Sequence, residues 1–304
     1  MGIGTSKDMA ICFVVFNPAQ TRRMLMNYFY TKNFYDMQGL PNYTIELVYK
    51  GCKPSIPGAV HVYSNSIMFH KENLCRILET HIPRRYTKLA FLDCDVLFED
   101  ESWYDKVSML LDTHDIVQPF ETAHWLDLTY SKIMLSRKTV LCMQEKEWNF
   151  KYHPGFAWCI RRDWYKKYGF FDYAVSGSGD TLSSIVWLQK RIPKGFQSLP
   201  RSLVDEYEKF IKNMSPPRIT FLSGMNVFHL YHGSRVNRQY SERHKLLNIN
   251  KSIKDMTTVN CYGVLEWKHP EVWNKVFLSY FQGRNDDDLS ADEIVLQTKE
   301  VQTS

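Results

Sequence analysis

The 304-residue sequence lacks the cysteine patterns of a disulfide framework and of a structural zinc site. Its seven cysteines are odd in number and irregularly spaced, and none forms a Cys-x-x-Cys pair. This argues against a disulfide framework and a structural zinc site, and it favours a reducing compartment. No apolar run approaches the ~20 residues that span a bilayer, and no signal peptide is visible. We therefore predict a cytoplasmic protein without a transmembrane segment.

The sequence also has no basic stripe interleaved with aromatic residues. Lys and Arg number 38 against 33 Asp and Glu, for a net charge of +5 and a pI near 8.7. We therefore predict no nucleic-acid partner, whereas a mild positive charge suits anionic ligands such as nucleotide diphosphates. There is no internal repeat or low-complexity linker, and 44% of the residues are hydrophobic. A single folded domain is expected.

Short apolar runs alternate with helical patterns in the first third of the chain. Met9 to Phe16 is predicted to be a buried strand that ends at Asn17-Pro18, and Lys88 to Leu92 a second one that runs directly into Asp93. Such alternation predicts an α/β fold with a mostly parallel sheet covered on both faces. Ligands of such sheets bind beyond the carboxyl ends of the strands.

Asp93 and Asp95 therefore come where a site is expected. In extended chain, side chains two residues apart project to the same face, so both carboxylates can reach one cation. Paired carboxylates together with substrate phosphates commonly hold divalent ions. The alternative is two solvated acids at the end of a strand. The position after a buried strand favours a metal site.

A second constellation is glycine-rich and ends in an acid. In Gly177-Ser178-Gly179-Asp180, two glycines permit a close backbone approach to a ligand, and Asp180 opens a predicted helix. An ionised carboxylate there can take a proton from an acceptor hydroxyl as a general base. It can equally serve as a cap of that helix. Spacing alone does not separate the two roles.

The third constellation is basic and contains two histidines, in His229-Leu230-Tyr231-His232 and the residues to Tyr240. A neutral imidazole from this segment can complete the coordination of Mn²⁺ beside two carboxylates. Arg235 and Arg238 can pair with phosphate oxygens. A core histidine beside a solvated basic loop is the alternative.

The order of these segments resembles that of nucleotide-sugar glycosyltransferases with the GT-A fold. KLAFLDCDVLF (88–98) is similar to their strand and Asp-x-Asp motif. GFAWCIRRDWYKKYGFFDYAVSGSGD (155–180) resembles the acceptor-side block of inverting members, and HGSR (232–235) the late His-Ser-Arg segment of β-galactosyltransferases. The set, which covers roughly residues 9 to 270, also resembles the cytoplasmic glycosyltransferases of large DNA viruses.

The resemblance implies a Rossmann-like mixed sheet flanked by helices and a role for each matching residue. Asp95 and His232 would bind Mn²⁺ (or Mg²⁺), and Asp93 would contact the metal or the donor ribose. Asp180 would be the catalytic base. The family's usual acidic pair at the last motif is reduced here to one acid after Gly179, which leaves the identity of the base less constrained than that of the metal ligands.

Further residues are predicted around the donor. In this fold, the first strand–helix turn with Phe16 and Asn17, and the segment from Asn65 to Asn73, would line the nucleotide pocket. Lys71 is placed to reach a phosphate, although a solvated helix lysine fits the pattern equally well. Arg235 is a second phosphate ligand on this prediction. Trp125 and Asp127 would face the donor sugar.

The predicted activity is inverting transfer of a sugar from a nucleotide-diphosphate donor, with UDP as the expected nucleotide, to a hydroxyl of an oligosaccharide or glycoprotein glycan. A retaining transferase is the first alternative. A sugar-nucleotide nucleotidyltransferase is the second, but those enzymes usually open with a glycine-rich loop and a basic residue. Here the first predicted strand ends in Asn17-Pro18 instead.

Three segments are expected: an N-terminal extension (1–8), the catalytic domain (9–275) and a mobile C-terminal tail (276–304). The first residues, Met1-Gly2-Ile3-Gly4-Thr5-Ser6, fit the N-myristoylation pattern with Gly2 as the acceptor. A single acyl chain would give only weak membrane association of a cytoplasmic protein, in the host cell if the chain is viral.

Overall fold

The structure, a computed structural model, describes residues 7–192, 199–234, 236–238 and 242–288. Of the sequence predictions, residues 1–6 of the N-terminal extension, which include Gly2, lie outside these ranges, as do Arg235 and Tyr240. In the described ranges, no helix combines the length and the apolar character that a membrane span requires.

The first half of the chain alternates strands and helices. In chain order its elements are β1 (Met9–Phe16), α1 (Arg22–Met37), β2 (Asn42–Tyr49), β3 (Val60–Ser64), α2 (Lys71–His81), β4 (Lys88–Leu92), β5 (Val96–Phe98), α3 (Trp103–Leu111), β6 (Ile116–Gln118), β7 (Thr122–Leu126) and β8 (Ile133–Lys138).

The second half contains shorter strands between helices. Its elements are β9 (Ala157–Arg161), α4 (Arg162–Tyr168), α5 (Gly179–Trp187), α6 (Val204–Asn213), β10 (Ile219–Phe221), β11 (Asn226–His229), α7 (Glu242–Lys245), α8 (Ile253–Met256), β12 (Thr257–Val259), β13 (Leu265–Trp267) and α9 (Pro270–Gly283). Single 3₁₀ turns lie at Val140–Cys142, Arg201–Leu203 and Val236–Arg238.

A mixed sheet is the centre of the fold. Its order in the described residues is β10-β6-β9-β4-β1-β2-β3, and β9 runs antiparallel to both of its neighbours while the other pairs are parallel. A smaller sheet has the order β5-β11-β7-β8, and β12 pairs with β13. This mixed α/β architecture with flanking helices is the one that the sequence predicts.

The apolar run of β1 is explained by burial on both faces of the sheet. Ala10 and Cys12 belong to the core on one face, whereas Ile11 and Phe13 belong to the core on the other. Successive side chains of a strand point to opposite faces, so a strand covered on both sides reads as a continuous hydrophobic run. A third cluster packs α9 against the segments that precede α2 and α5, with Phe277 and Phe281 buried.

Helix α9 runs across the predicted domain end at residue 275. Residues 276–283 form the second half of α9, and Asp286, beyond the helix, is only 3% exposed. Asp286 has ionic contacts with His232, Arg238 and Arg284. Residues 289–304 of the predicted tail lie outside the described ranges.

Arg162 joins α4 to the end of α2. Its guanidinium donates to Glu79 Oε1 at 2.6 Å and to the carbonyl oxygens of Glu79, Ile82, Pro83 and Tyr86 at 2.8–3.1 Å. The carbonyl groups at the end of a helix have no partner within it, so one arginine satisfies several of them. Both side chains of the ion pair are largely buried, at 12% and 9% exposed.

We expect Arg162→Met to lower the free energy of unfolding by roughly 3–5 kcal/mol, because it leaves the Glu79 carboxylate buried without its cation. Urea denaturation followed by circular dichroism measures this change. Arg84, an exposed residue in the same turn, is the control, and Arg84→Met should change the stability by less than about 0.5 kcal/mol. Equal effects of the two substitutions would contradict this role of Arg162.

Candidate active site

The candidate site lies at the edge of the main sheet where β1, β2, β3 and β4 end. These four strands are parallel, so their carboxyl ends share one edge. Strand β9 runs the other way and therefore begins at that edge. The Asp93 backbone N–H donates to the Phe156 carbonyl oxygen at 2.7 Å, which ties the Asp-x-Asp turn to the start of β9.

The smaller sheet brings two histidines to Asp95. Strand β5 starts at Val96 and pairs antiparallel with β11, so that His229, the last residue of β11, lies opposite Val96. The Leu230 backbone N–H then donates to the Asp95 carbonyl oxygen at 2.8 Å. The pairing register therefore fixes His229 beside Asp95, and the turn after it carries His232 into the same place.

Asp95, His229 and His232 form a compact cluster of potential metal ligands. Asp95 Oδ2 lies 3.1 Å from His232 Nε2 and 3.6 Å from His229 Nε2, and the two imidazole nitrogens lie 2.9 Å apart. One ligand atom from each residue falls within 4.8 Å of the others.

This donor set fits a divalent transition-metal ion. Imidazole nitrogen with carboxylate oxygen is a common ligand combination for such ions. Within the described residues, Asp95 Oδ1 is buried without a hydrogen-bond partner. A buried carboxylate oxygen in that state carries a large desolvation cost, which a cation at the cluster would offset.

The surroundings of His232 keep its imidazole neutral. Burial and the neighbouring Arg238 guanidinium lower the pKa of His232 to about 4. A neutral imidazole has a lone pair available for a metal. Arg238 donates to the His232 carbonyl oxygen at 3.0 Å, so the phosphate contact predicted for Arg238 competes with a structural role at this histidine.

Asp286 lies behind His232, on the side away from Asp95. Its Oδ1 is 3.7 Å from His232 Nδ1, and its Oδ2 is 3.0 Å from Arg284 Nη2. Burial opposes ionisation, but His232, Arg284 and Arg238 together lower the pKa of Asp286 to about 2. A carboxylate in this position orients a ligating histidine and raises its basicity.

The residue after Asp286 holds the same segment against α1. Asp287 accepts hydrogen bonds from the backbone N–H groups of Arg22 and Arg23, at 3.0 and 2.6 Å. Gly233 leaves room for this segment, since a Cβ there would lie 2.7 Å from the Asn285 carbonyl oxygen. The segment after α9 is therefore part of the site's framework.

Asp93 is not a member of the three-residue cluster. Its Oδ1 forms a close ion pair with Lys71 Nζ at the start of α2. Burial lowers the pKa of Lys71, but the carboxylates of Asp93, Asp180 and Glu72 outweigh it and raise that pKa. Lys71 is therefore a permanent cation at the carboxyl edge of the sheet, beside the cluster.

Asp180 lies in a pocket next to this ion pair. One carboxylate oxygen accepts from the Thr181 backbone N–H at 2.7 Å, and the other faces Gly155, where an added Cβ would lie 2.5 Å from it. The sequence left open whether Asp180 is a helix cap or a base, and this geometry allows both. The pocket is lined by Lys71, Glu72, Cys75, Phe91, Ala157, Trp158, Phe170 and Asp180.

A second cleft opens at the ends of β1 and β2. The Asn17 side chain lines it and also holds the turn into α1, since Oδ1 accepts from the Thr21 backbone N–H at 2.9 Å. Phe16 instead packs its ring against Phe69, His70 and Phe281. Of these two predicted nucleotide-pocket residues, only Asn17 lines the cleft.

The remaining predicted residues have local partners. Asn65 is exposed, and its backbone N–H donates to Glu266 Oε1 at 2.9 Å. The Asp127 carboxylate accepts from Thr129 and from two backbone N–H groups of its own turn. Trp125 packs on Phe156, with ring centroids 4.9 Å apart, and borders the cluster through His229. Arg235 lies outside the described residues.

Three residues at this site, His229, Glu72 and Asp286, were not among the predicted site residues. His229 stands three residues before His232, and that spacing was a usable signal. Glu72 and Asp286 are acids in a helix and in a charged segment, where solvated side chains are the usual expectation. Only the fold reveals their burial.

No protein-family model matches the chain, and no curated protein does. Among solved structures, the catalytic domain of Drosophila β1,4-galactosyltransferase 7 with xylobiose is 11% identical and has a TM-score of 0.38, over 86% of this chain and 94% of that one. Glucosyl-3-phosphoglycerate synthase of Mycobacterium tuberculosis is 10% identical (TM-score 0.36, 85% and 86%). A putative glucose-1-phosphate thymidylyltransferase of Bacillus anthracis is also 10% identical (TM-score 0.35, 81% and 99%). Likeness at this level assigns no family, so the function has to be argued from the site.

Proposed function

We propose that this protein is a metal-dependent glycosyltransferase that transfers a sugar from a nucleotide-diphosphate donor, with UDP as the expected nucleotide, to a glycan hydroxyl. The convergence of Asp95, His229 and His232 beside the Lys71–Asp93 ion pair carries this proposal. A ligand cluster next to a fixed cation, at the carboxyl edge of a sheet, suits a diphosphate.

Asp95, His229 and His232 would hold a divalent cation, Mn²⁺ or Mg²⁺. When bound, the cation supplies a Lewis acid for the charge that develops on the departing diphosphate. Lys71 would add a second positive charge there, and Asp93 holds it in place. Arg235 stays a predicted phosphate ligand, and the cleft bordered by Asn17 is the proposed nucleotide site.

Asp180 is the proposed general base. Its carboxylate accepts the proton of the acceptor hydroxyl while the hydroxyl oxygen forms a bond to the anomeric carbon of the donor sugar. The bond from that carbon to the diphosphate oxygen breaks with its electron pair on the diphosphate. Attack from the face opposite the leaving group inverts the anomeric configuration. Trp158 and Phe170 line the same pocket and are largely buried.

A thermal-shift panel of UDP-, GDP- and dTDP-sugars with and without Mn²⁺ tests the donor. One donor is expected to stabilise the protein only when Mn²⁺ is present. Ligand at 100 times its Kd adds about 2.7 kcal/mol to the folded state, which corresponds to a rise in Tm of about 5 °C. Equal shifts for all donors with and without metal would contradict a metal-dependent donor site.

NMR analysis of the product then reads the stereochemistry. Inversion of the donor anomer is the expected result. Retention would leave the donor site intact but remove Asp180 from the role of base, because retaining transfer does not use a base on the face opposite the leaving group.

A further inference from the structure

Glu72 is a second carboxyl group in the pocket of Asp180. It lies in the first turn of α2, next to Lys71, and is only 5% exposed. Within the described ranges, no other residue forms an ion pair with its carboxyl group or donates a hydrogen bond to it. The carboxyl group accepts a hydrogen bond from the backbone N–H of Glu72 itself. A carboxyl oxygen can accept more than one hydrogen bond, so a buried carboxyl group that lines a pocket marks a place for a polar ligand.

Two glycines make room for the two carboxyl groups. A Cβ on Gly179 would lie 2.2 Å from Glu72 Cδ, and a Cβ on Gly155 would lie 2.5 Å from Asp180 Oδ2. A larger residue at either position would have to displace the acidic side chain, so each glycine leaves room for one acid in the pocket. Gly179 directly precedes Asp180, so the first turn of α5, which carries the proposed base, also accommodates Glu72.

The charged neighbours of Glu72 shift its pKa in both directions. Burial raises its pKa, Lys71 lowers it, and Asp180 and the more distant Asp172 raise it, with a result of about 8. Cys75, the pocket's thiol, is held neutral because burial raises its pKa. At neutral pH the Glu72 carboxyl group is therefore protonated. It can donate a hydrogen bond as well as accept one.

We infer that Glu72 binds a hydroxyl group of the acceptor sugar, adjacent to the hydroxyl that Asp180 deprotonates. This inference rests on the proposed function. A carboxylate only accepts hydrogen bonds, whereas a neutral carboxyl group both donates and accepts, so the two acids together match vicinal hydroxyl groups of a sugar. The single acid after Gly179 is thus complemented by a carboxyl group from another element.

If Glu72 were only an ionised acid that stabilises the start of α2, the pH dependence of stability would have the opposite sign from that of a protonated Glu72. An acid in the first turn of a helix stabilises it when ionised. A carboxyl group that folding keeps protonated behaves in the reverse way, because the folded state then binds more protons than the unfolded state. Its stabilising contribution is complete below the unfolded pKa and is lost as the pH rises through the folded pKa.

The first experiment compares the Tm of the wild type and Glu72→Gln from pH 5 to pH 9. The Tm of the variant relative to the wild type should rise between pH 5 and 8 and then level off. Glu208→Gln, at an exposed site on α6, should show no such trend. A Glu72→Gln difference that stays flat, or that falls with pH, would show an ionised helix acid and overturn the inference.

The second experiment measures acceptor kinetics at fixed, saturating donor. Glu72→Ala should raise the acceptor KM about 3- to 10-fold, as expected for one lost hydrogen bond, and leave the donor Kd unchanged. Glu72→Gln, which can still donate, should keep most of the affinity and retain it above pH 8, where the wild type loses it. An unchanged acceptor KM in Glu72→Ala, with donor binding intact, overturns the role of Glu72 alone. A wild type that binds no donor with Mn²⁺ instead overturns the proposed function.

Discussion

Replacement of Asp95 by alanine is expected to reduce metal-dependent transfer by about 10³-fold. Asp95 is the ligand that both histidines approach, and Asp95 Oδ1 is buried without a hydrogen-bond partner among the described residues. Metal ions contribute several kcal/mol of transition-state stabilisation, and each 1.36 kcal/mol corresponds to about tenfold in rate. Mn²⁺ titration monitored by electron paramagnetic resonance should show the loss of binding directly.

Two further variants separate the roles of the neighbouring acids. Asp93→Asn should weaken Mn²⁺ binding far less than Asp95→Ala, because Asp93 pairs with Lys71 and lies outside the ligand cluster. Its main effect should be weaker donor binding. Glu101, an exposed acid in the segment after β5, is the control, and Glu101→Gln should behave as the wild type. Wild-type Mn²⁺ affinity in Asp95→Ala would exclude the proposed metal site.

The parts of the fold that the sequence predicts well are those with a strong local pattern. The bounds of β1 and β4 agree with the sequence predictions. In β1 and β4 this follows from burial on both faces, which requires an uninterrupted apolar run.

The smaller sheet is the part that local patterns do not reveal. Strand β8 is mostly exposed, and β5 and β11 have only three and four residues. Their pairing joins residues about 130 positions apart, between Val96 and His229. No periodicity in a short window encodes such a register. His232 was predicted from the resemblance of residues 232–235 to a family segment, whereas the register that brings His229 beside Asp95 is visible only in the fold.

Buried acids are the second kind of feature that escapes sequence reasoning. Glu72 belongs to a helix of mixed composition, and Asp286 to a run of three aspartates. In both contexts solvation is the usual expectation. Gly179 leaves the space that Glu72 occupies, and Gly233 leaves space for the segment that carries Asp286. Of the side chains that contact Asp286, Arg284 is near in the chain, whereas His232 and Arg238 are distant.

Asp180→Asn is expected to lower the transfer rate by about 10²- to 10⁴-fold, the usual contribution of a general base. The amide keeps the shape of the side chain and can still accept from the Thr181 backbone N–H, so the start of α5 should be retained. The metal cluster is formed by other residues, so Mn²⁺ and donor affinity should stay close to wild type. Single-turnover rates and calorimetric donor titrations measure the two quantities separately.

Asp205 offers a matched control for this substitution, since it is an exposed acid in the first turn of another helix, α6. Asp205→Asn should leave transfer unchanged, which would separate a catalytic from a helix-capping effect. Near-normal transfer by Asp180→Asn would remove it as the base. If Glu72→Gln then lost transfer at unchanged donor affinity, the base would be Glu72, because these two acids line the same pocket. The two single variants, Asp180→Asn and Glu72→Gln, therefore show which of the two carboxyl groups accepts the proton.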